Sequence, residues 1–289
     1  MKLFHISLVA AALSFSTAHA QIRIGGSDLL APHVQTVLVE YAEVRGLEVE
    51  VSLTGSYYGL ERLRQGELDL SIVAVPPGAE VPSGEFRSVR IASKVVTVAV
   101  APSNPLNQVT QRQLAGIFAE GEPTAPRWGQ VGLTGEWAAR TVAPGAITPV
   151  RHSLALDLFR HTALQGRGLR RTLAYYEDVA AVRRRFEQDN SGIVILHRIP
   201  ESLDGLKILA VAGGEDAIAH RPTLETVAAD EYSLRLPLYA VFPVARAGEV
   251  GEILRYLVGD EATEAIMESG LAPLPALQRQ RLAFEFERL

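Results

Sequence analysis

The sequence predicts an α/β protein whose sheets are mixed but mostly parallel and whose chain is divided into two lobes. Three observations lead there. Strand-like and helix-like stretches alternate as β-α-β-α-β from Ile22 onward, and such alternation implies strands joined by crossover helices. Glycines punctuate the changes of element, at Gly25-Gly26, Gly46, Gly55 and Gly66. Two strong apolar runs, Lys94–Ala101 and Leu234–Val241, stand far apart in the chain. A chain that crosses to a second lobe at the first run and returns at the second gives one lobe of residues 21–99 with 240–289 and another of 100–239. A cleft between lobes is a favoured ligand site.

The first twenty residues are expected to be a signal peptide. Lys2 supplies the positive start, Leu3–Phe15 is mostly apolar, and Ala18-His19-Ala20 is a small-residue cleavage signal before Gln21. The apolar run is too short for a membrane span. With no cysteine in the chain, a lipid anchor on a processed N-terminal cysteine, a disulfide and a thiolate metal site are not expected. Hydrophobic residues make up 47% of the sequence, ample for a core, and the net charge of −5 argues against bulk nucleic-acid binding. It leaves room for one small anion held by local donors.

Ile22–Ile24 reads as a strand running into the turn Gly25–Asp28. A helix is expected from Leu29 to about Arg45, with Val34, Leu38, Tyr41 and Ala42 near helical spacing. Glu48–Leu53 alternates as a strand. Thr54-Gly55-Ser56 then turns into a short helix, with Ser56 as expected N-cap and Gly66 as stop. Leu68, Leu70 and Ile72 alternate with Asp69 and Ser71 in the next strand. Lys94–Ala101 reads as one β-branched strand, and Thr110 caps a helix over Gln111–Phe118. Ala146–Val150 is a strand ending in the polar turn Arg151-His152-Ser153, which leads into a helix. Leu169–Tyr176 is expected to be helical or irregular, Asp178–Gln188 helical, Ile193–Leu196 and Leu206–Val211 extended. Val250–Val258, Glu261–Ser269 and Leu277–Leu289 read as helices. In open α/β sheets ligands gather beyond the carboxyl ends of strands, here at Gly25–Asp28 and Thr54–Tyr58.

Six segments, in order, resemble the phosphate-binding periplasmic receptors of ABC transporters and the wider type II periplasmic binding fold. They are Gly26–Pro32, Gly55–Leu60 with Gln65–Leu70, Thr110–Phe118 with Trp128 and Val131-Gly132, Asp189–Val194, Tyr232–Tyr239 and Ser269–Leu274. The resemblance implies a monomeric periplasmic receptor that captures phosphate or a related oxyanion and hands it to an inner-membrane ABC permease, without a cofactor. It also implies a ligand clamp. By position Ser56 matches the first-lobe serine, Arg151 the clamp arginine and Ser153 the serine of an S-G-T turn. Ser153-Leu154-Ala155 departs from that turn, Asp28 stands where the family has threonine, and Ala74 stands where it has a carboxylate.

The candidate ligand set is therefore Ser27, Asp28, Leu29, Ser56, Tyr57, Arg151, His152 and Ser153. A guanidinium grips an oxyanion in bidentate fashion, and Arg-His-Ser before a helix joins charge to N–H donors. Each residue also has a plainer reading: Arg151 a surface turn residue, Ser153 and Asp28 N-caps, His152 uninvolved, Tyr57 and Tyr58 packing or surface groups. The alternatives left open are a different small ligand, or a receptor fold reused for envelope signalling without transport. No nucleotide-binding glycine motif, paired metal-binding histidines or separated catalytic triad is visible, so neither a metal site nor an enzyme is expected.

Overall fold

The computed structural model describes residues 21–31, 33–121, 126–147 and 154–289. The expected leader and the Arg151-His152-Ser153 turn lie outside the described residues. In chain order the elements begin β1 (Ile22–Gly26), α1 (His33–Arg45), β2 (Val49–Ser52), α2 (Ser56–Arg64), β3 (Leu70–Ala74) and β4 (Phe86–Val95). There follow β5 (Thr97–Val100), β6 (Gln108–Thr110), α3 (Gln111–Phe118), β7 (Ala143–Ile147), α4 (Leu154–Thr162) and β8 (Ala174–Tyr176). Next come α5 (Val179–Gln188), β9 (Gly192–Leu196), β10 (Lys207–Ile208), β11 (Ala210–Ala212) and α6 (Leu224–Ala228). The chain closes with β12 (Arg235–Pro243), α7 (Ala247–Leu257), α8 (Asp260–Glu268), β13 (Leu271–Pro273) and α9 (Ala276–Phe286).

Two mixed sheets organise these elements. The first runs β13-β4-β12-β3-β1-β2 and the second β10-β5-β9-β7-β8, with β11 and β6 pairing apart. Strands linked by crossover helices are parallel: Ile24 lies opposite Val51 on one side and Leu70 on the other. The strands entering from the far ends of the chain are antiparallel, β12 to β3 and β4, and β5 to β9. Burial explains the local choices. β9 is buried at every position, as a strand between covered faces requires. Val34, Leu38 and Ala42 are four apart and form the one buried face of α1. Thr110 caps α3 with a reciprocal bond from Gln113, as its position before the apolar run predicts.

Each sheet has its own core. Ile24, Leu38, Leu70, Ile72, Phe242 and Ile253 belong to the first. Val98, Phe118, Trp128, Phe159, Val194 and Ile195 belong to the second, where Phe118 meets Phe159 edge to face at 5.4 Å. A buried carboxylate ties down the first lobe: Asp69, its side chain 2% exposed, accepts from the Arg23 backbone at 2.8 Å and the Arg23 guanidinium at 2.9 Å, and also pairs with Arg246. Burial works against its charge, but the Arg23 hydrogen bonds and the Arg246 charge outweigh it and hold the carboxyl below its ordinary range.

Two expectations are corrected here. Lys94–Ala101 is not one strand: β4 ends at Val95 and β5 begins at Thr97, in different sheets. At the break, Val96 N donates to Leu234 O at 3.0 Å and the Tyr232 hydroxyl donates to Val96 O at 2.8 Å. The two passages of the chain between sheets are thus clasped side by side. Leu169–Tyr176 is not helical over its last residues; β8 pairs in parallel with β7.

Candidate ligand-binding site

The first wall of the site is the turn after β1. Gly26 has φ +120, and a Cβ there would stand 2.1 Å from Ile72 O, so only glycine fits. Ser27 N donates to that same Ile72 O at 2.7 Å, which pins the turn to β3. Ser27 itself is 2% exposed, and its Oγ accepts from Leu29 N at 3.3 Å. It therefore caps a short 3-10 turn, Asp28–Leu30. The N-cap reading of Asp28 is overturned, because Ser27 holds that place and leaves Asp28 exposed; α1 begins only at His33, not at Leu29.

The second wall is the start of α2. Gly55, not Ser56, is its N-cap, and no side chain caps it. Gly55 N donates to Gly26 O at 2.7 Å, so the two turns are bonded directly to each other. The Ser56 hydroxyl serves otherwise: it accepts from Ala74 N at 3.0 Å, bridging the helix start to the end of β3. A hydroxyl that accepts one bond keeps its proton to donate. The first helical bond runs from Gly59 N to Gly55 O, leaving the N–H groups of Ser56, Tyr57 and Tyr58 ahead of the helical ladder. Tyr57 is 81% exposed and Tyr58 is exposed too, so both stand on the surface beside these donors. Ala74 and Leu29 are half-buried and pack against both lobe cores, so the floor between the walls is apolar where a carboxylate was the family expectation.

The second lobe presents the carboxyl ends of its parallel strands β7 and β9. A cavity of about 240 Å³ lies there, lined among others by Ile147, Leu196, His197 and Arg198. Arg151, His152 and Ser153 follow β7, outside the described residues; α4 starts at Leu154. Of the sequence candidates, the structure brings Ser27, Asp28, Leu29, Ser56 and Tyr57 onto two joined turns. It turns the Ser27 side chain inward and leaves Asp28 and Tyr57 outward. Among the described residues no group of His, Asp and Glu is arranged to hold a metal ion. What the arrangement offers is a set of neutral hydrogen-bond donors at a helix start, which suits a small anion or polar solute.

Residues 14–261 match the PBP superfamily domain. The chain belongs to the PBP superfamily. This PBP superfamily chain is 27% identical over 275 residues to Protein SphX of Synechococcus elongatus, covering 90% of the chain and 80% of that protein. Solved structures share the fold. One is a possible phosphate binding protein from Planctomyces limnophilus, with TM-score 0.68, 18% identity, and 93% of this chain and 98% of that one covered. Another is PstS from Borrelia burgdorferi, with TM-score 0.66, 17% identity, and coverage of 88% and 99%. A third is an ABC-type phosphate transport receptor from Vibrio cholerae, with TM-score 0.58, 19% identity, and coverage of 88% and 100%.

Sequence reasoning missed two groups in this PBP superfamily chain. Gly59 packs helix on strand: a Cβ there would sit 2.4 Å from Gly26 Cα and 2.7 Å from Ser71 Oγ. The signal was present, since an isolated glycine inside a helical pattern usually marks close backbone approach. Lys94 and His197 both come up against Gly270, and nothing local in the sequence connects them.

Proposed function

We propose that the protein is a periplasmic solute-binding protein that captures phosphate or a related small oxyanion and presents it to an ABC permease in the inner membrane. One observation carries the reading: the Gly55–Gly26 hydrogen bond sets the open N–H groups of α2 and the Ser56 hydroxyl at the carboxyl end of parallel strand β1. The names of two relatives in fold, a possible phosphate binding protein and an ABC-type phosphate transport receptor, support the same solute class. Arg151, His152 and Ser153 supply the opposing jaw, Arg151 with the one full positive charge of the clamp. The division into lobes near residues 100 and 240 belongs to this reading, and the crossings at Val95–Thr97 and Leu234–Arg235 support it. Closure about those crossings excludes water and strengthens each bond to the solute. The activity is capture and release, with no bond-making step, and residues 1–20 direct export.

Titration calorimetry with phosphate, sulfate, molybdate and a panel of organic acids tests it. Submillimolar phosphate binding is expected, lost by about 100-fold in Arg151→Ala and weakened by about 5-fold in Ser56→Ala. No heat with any oxyanion at millimolar concentration sinks the proposal.

A further inference from the structure

The lobe interface holds a buried cation that has no counter-charge among the described residues. Lys94, on β4, is 5% exposed, and its Nζ donates to Gly270 O at 3.0 Å. No carboxylate pairs with it among the described residues. The His197 ring approaches from the other lobe: the point where a Gly270 Cβ would stand is 3.4 Å from Lys94 Nζ and 3.7 Å from His197 Cδ2. His197 Nδ1 is enclosed and has no hydrogen-bond partner among the described residues. Arg198 follows in the chain, its only described acidic neighbour being Glu201 at 3.8 Å. Burial and the Arg198 charge pull the Lys94 ammonium down to about 8, so it is still charged at neutral pH. Burial, Lys94 and Arg198 pull His197 down to about 4, so its ring is neutral there and offers one N–H.

A buried ammonium with spare N–H donors and no acid among the described residues is costly unless an anion completes it. The edge of the His197 ring turned toward it is Cδ2 and Nε2, Nε2 being 3.9 Å from the same Gly270 Cβ point. Glycine at position 270 keeps the facing space free of a side chain. Beside it lies a cavity of about 230 Å³, walled by Val95, Gly270 and Leu271 from one lobe and Arg198, Glu201 and Thr223 from the other. We propose that Lys94 and His197 form a second site, for a compact monovalent inorganic anion of the halide class, which bridges the two lobes. The charge count of the buried groups sets the class: the Lys94 ammonium balances one negative charge and the neutral His197 ring none. The Arg198 side chain is part-exposed and already faces Glu201, so a doubly charged oxyanion would keep an uncompensated buried charge. The site is separate from the solute turns. Leu238 pairs with both Ala74 and Ala92, and Lys94 lies two residues beyond Ala92 on a strand two places from β3, about 10 Å to the side.

The test uses the full mature chain at pH 7 and fixed ionic strength, replacing sodium gluconate stepwise by sodium chloride or bromide. The melting midpoint is expected to rise in the native chain, by about 3 °C for each tenfold of halide beyond half-saturation. The rise is expected to vanish in Lys94→Met, which keeps the length of the side chain and removes its charge, and to persist in Ser56→Ala, which alters only the solute turns. Crystals soaked in bromide are expected to show anomalous scattering within about 3.5 Å of Lys94 Nζ. An equal halide response in Lys94→Met overturns the proposal, and so does a native crystal with no bromide at Lys94; the crystal result decides even where the variant fails to fold.

Discussion

Replacing Gly59 by alanine probes the contact on which the two turns depend. The added Cβ would meet Gly26 Cα at 2.4 Å, Gly26 N at 2.6 Å and Ser71 Oγ at 2.7 Å, where ordinary contact begins at 3.4 Å. Two of these atoms are backbone in the middle of a sheet, so α2 must retreat, by about 1 Å. The Gly55–Gly26 hydrogen bond, 2.7 Å long, would then stretch past the limit of a hydrogen bond. Overpacking costs about 1–3 kcal/mol and the lost bond about 1 kcal/mol, while alanine returns about 1 kcal/mol of helix propensity. The balance, roughly 2 kcal/mol, lowers the melting midpoint by about 4–8 °C. Affinity for the solute is expected to fall at least about tenfold, because the α2 donors no longer face the first turn. Gly66→Ala is the control. Its φ of +72 makes alanine strained there, but nothing lies within 4 Å, so it costs about 1 kcal/mol and leaves affinity unchanged. Calorimetric melts and phosphate titration of both variants supply the readout. A Gly59→Ala protein that binds phosphate as tightly as the native chain would refute the reasoning.

Two further outcomes follow from buried groups. Asp69 has a folded pKa below its ordinary value, so its stabilisation is complete above about pH 4 and is lost as pH falls through the folded value. Asp69→Asn is expected to cost about 3 kcal/mol at pH 7 by leaving Arg23 and Arg246 without their carboxylate, and to flatten the acid limb of stability; urea melts from pH 2.5 to 7 check both. Tyr232→Phe removes the hydroxyl bonded to Val96 O between the two crossings, at an expected cost of about 1–2 kcal/mol, measured by the same melts. Burial pushes that hydroxyl's pKa far up, so the bond is expected to persist through alkaline pH, and the difference between native and variant to stay constant from pH 7 to 10.

Much of the fold was legible in local pattern. The alternation of Ile22–Ile24, the four-residue spacing of Val34, Leu38 and Ala42, the Thr110 cap and the glycine stops depend on neighbours in sequence, and each forms where the pattern places it. Caps near the site were harder to place. Ser27 and Ser56 each precede a helix-like run, and either side chain is able to cap; which does so depends on where β3 brings Ile72 O and Ala74 N. The break at Val96 was invisible for a similar reason. A β-branched run satisfies either sheet, and only pairing with Leu234 and Tyr232 decides where the chain changes sheets.

The sequence by itself determined the α/β class, the order of the elements and the glycine turns that carry the candidate site, because periodicity and backbone freedom are local properties. Tertiary structure decided what those turns do. It joined Gly55 to Gly26, gave the Ser56 hydroxyl to Ala74, set Gly59 against the sheet and brought Lys94 and His197 both to Gly270. These are contacts between residues far apart in the chain, fixed by strand order and register, and no window along the sequence contains both partners.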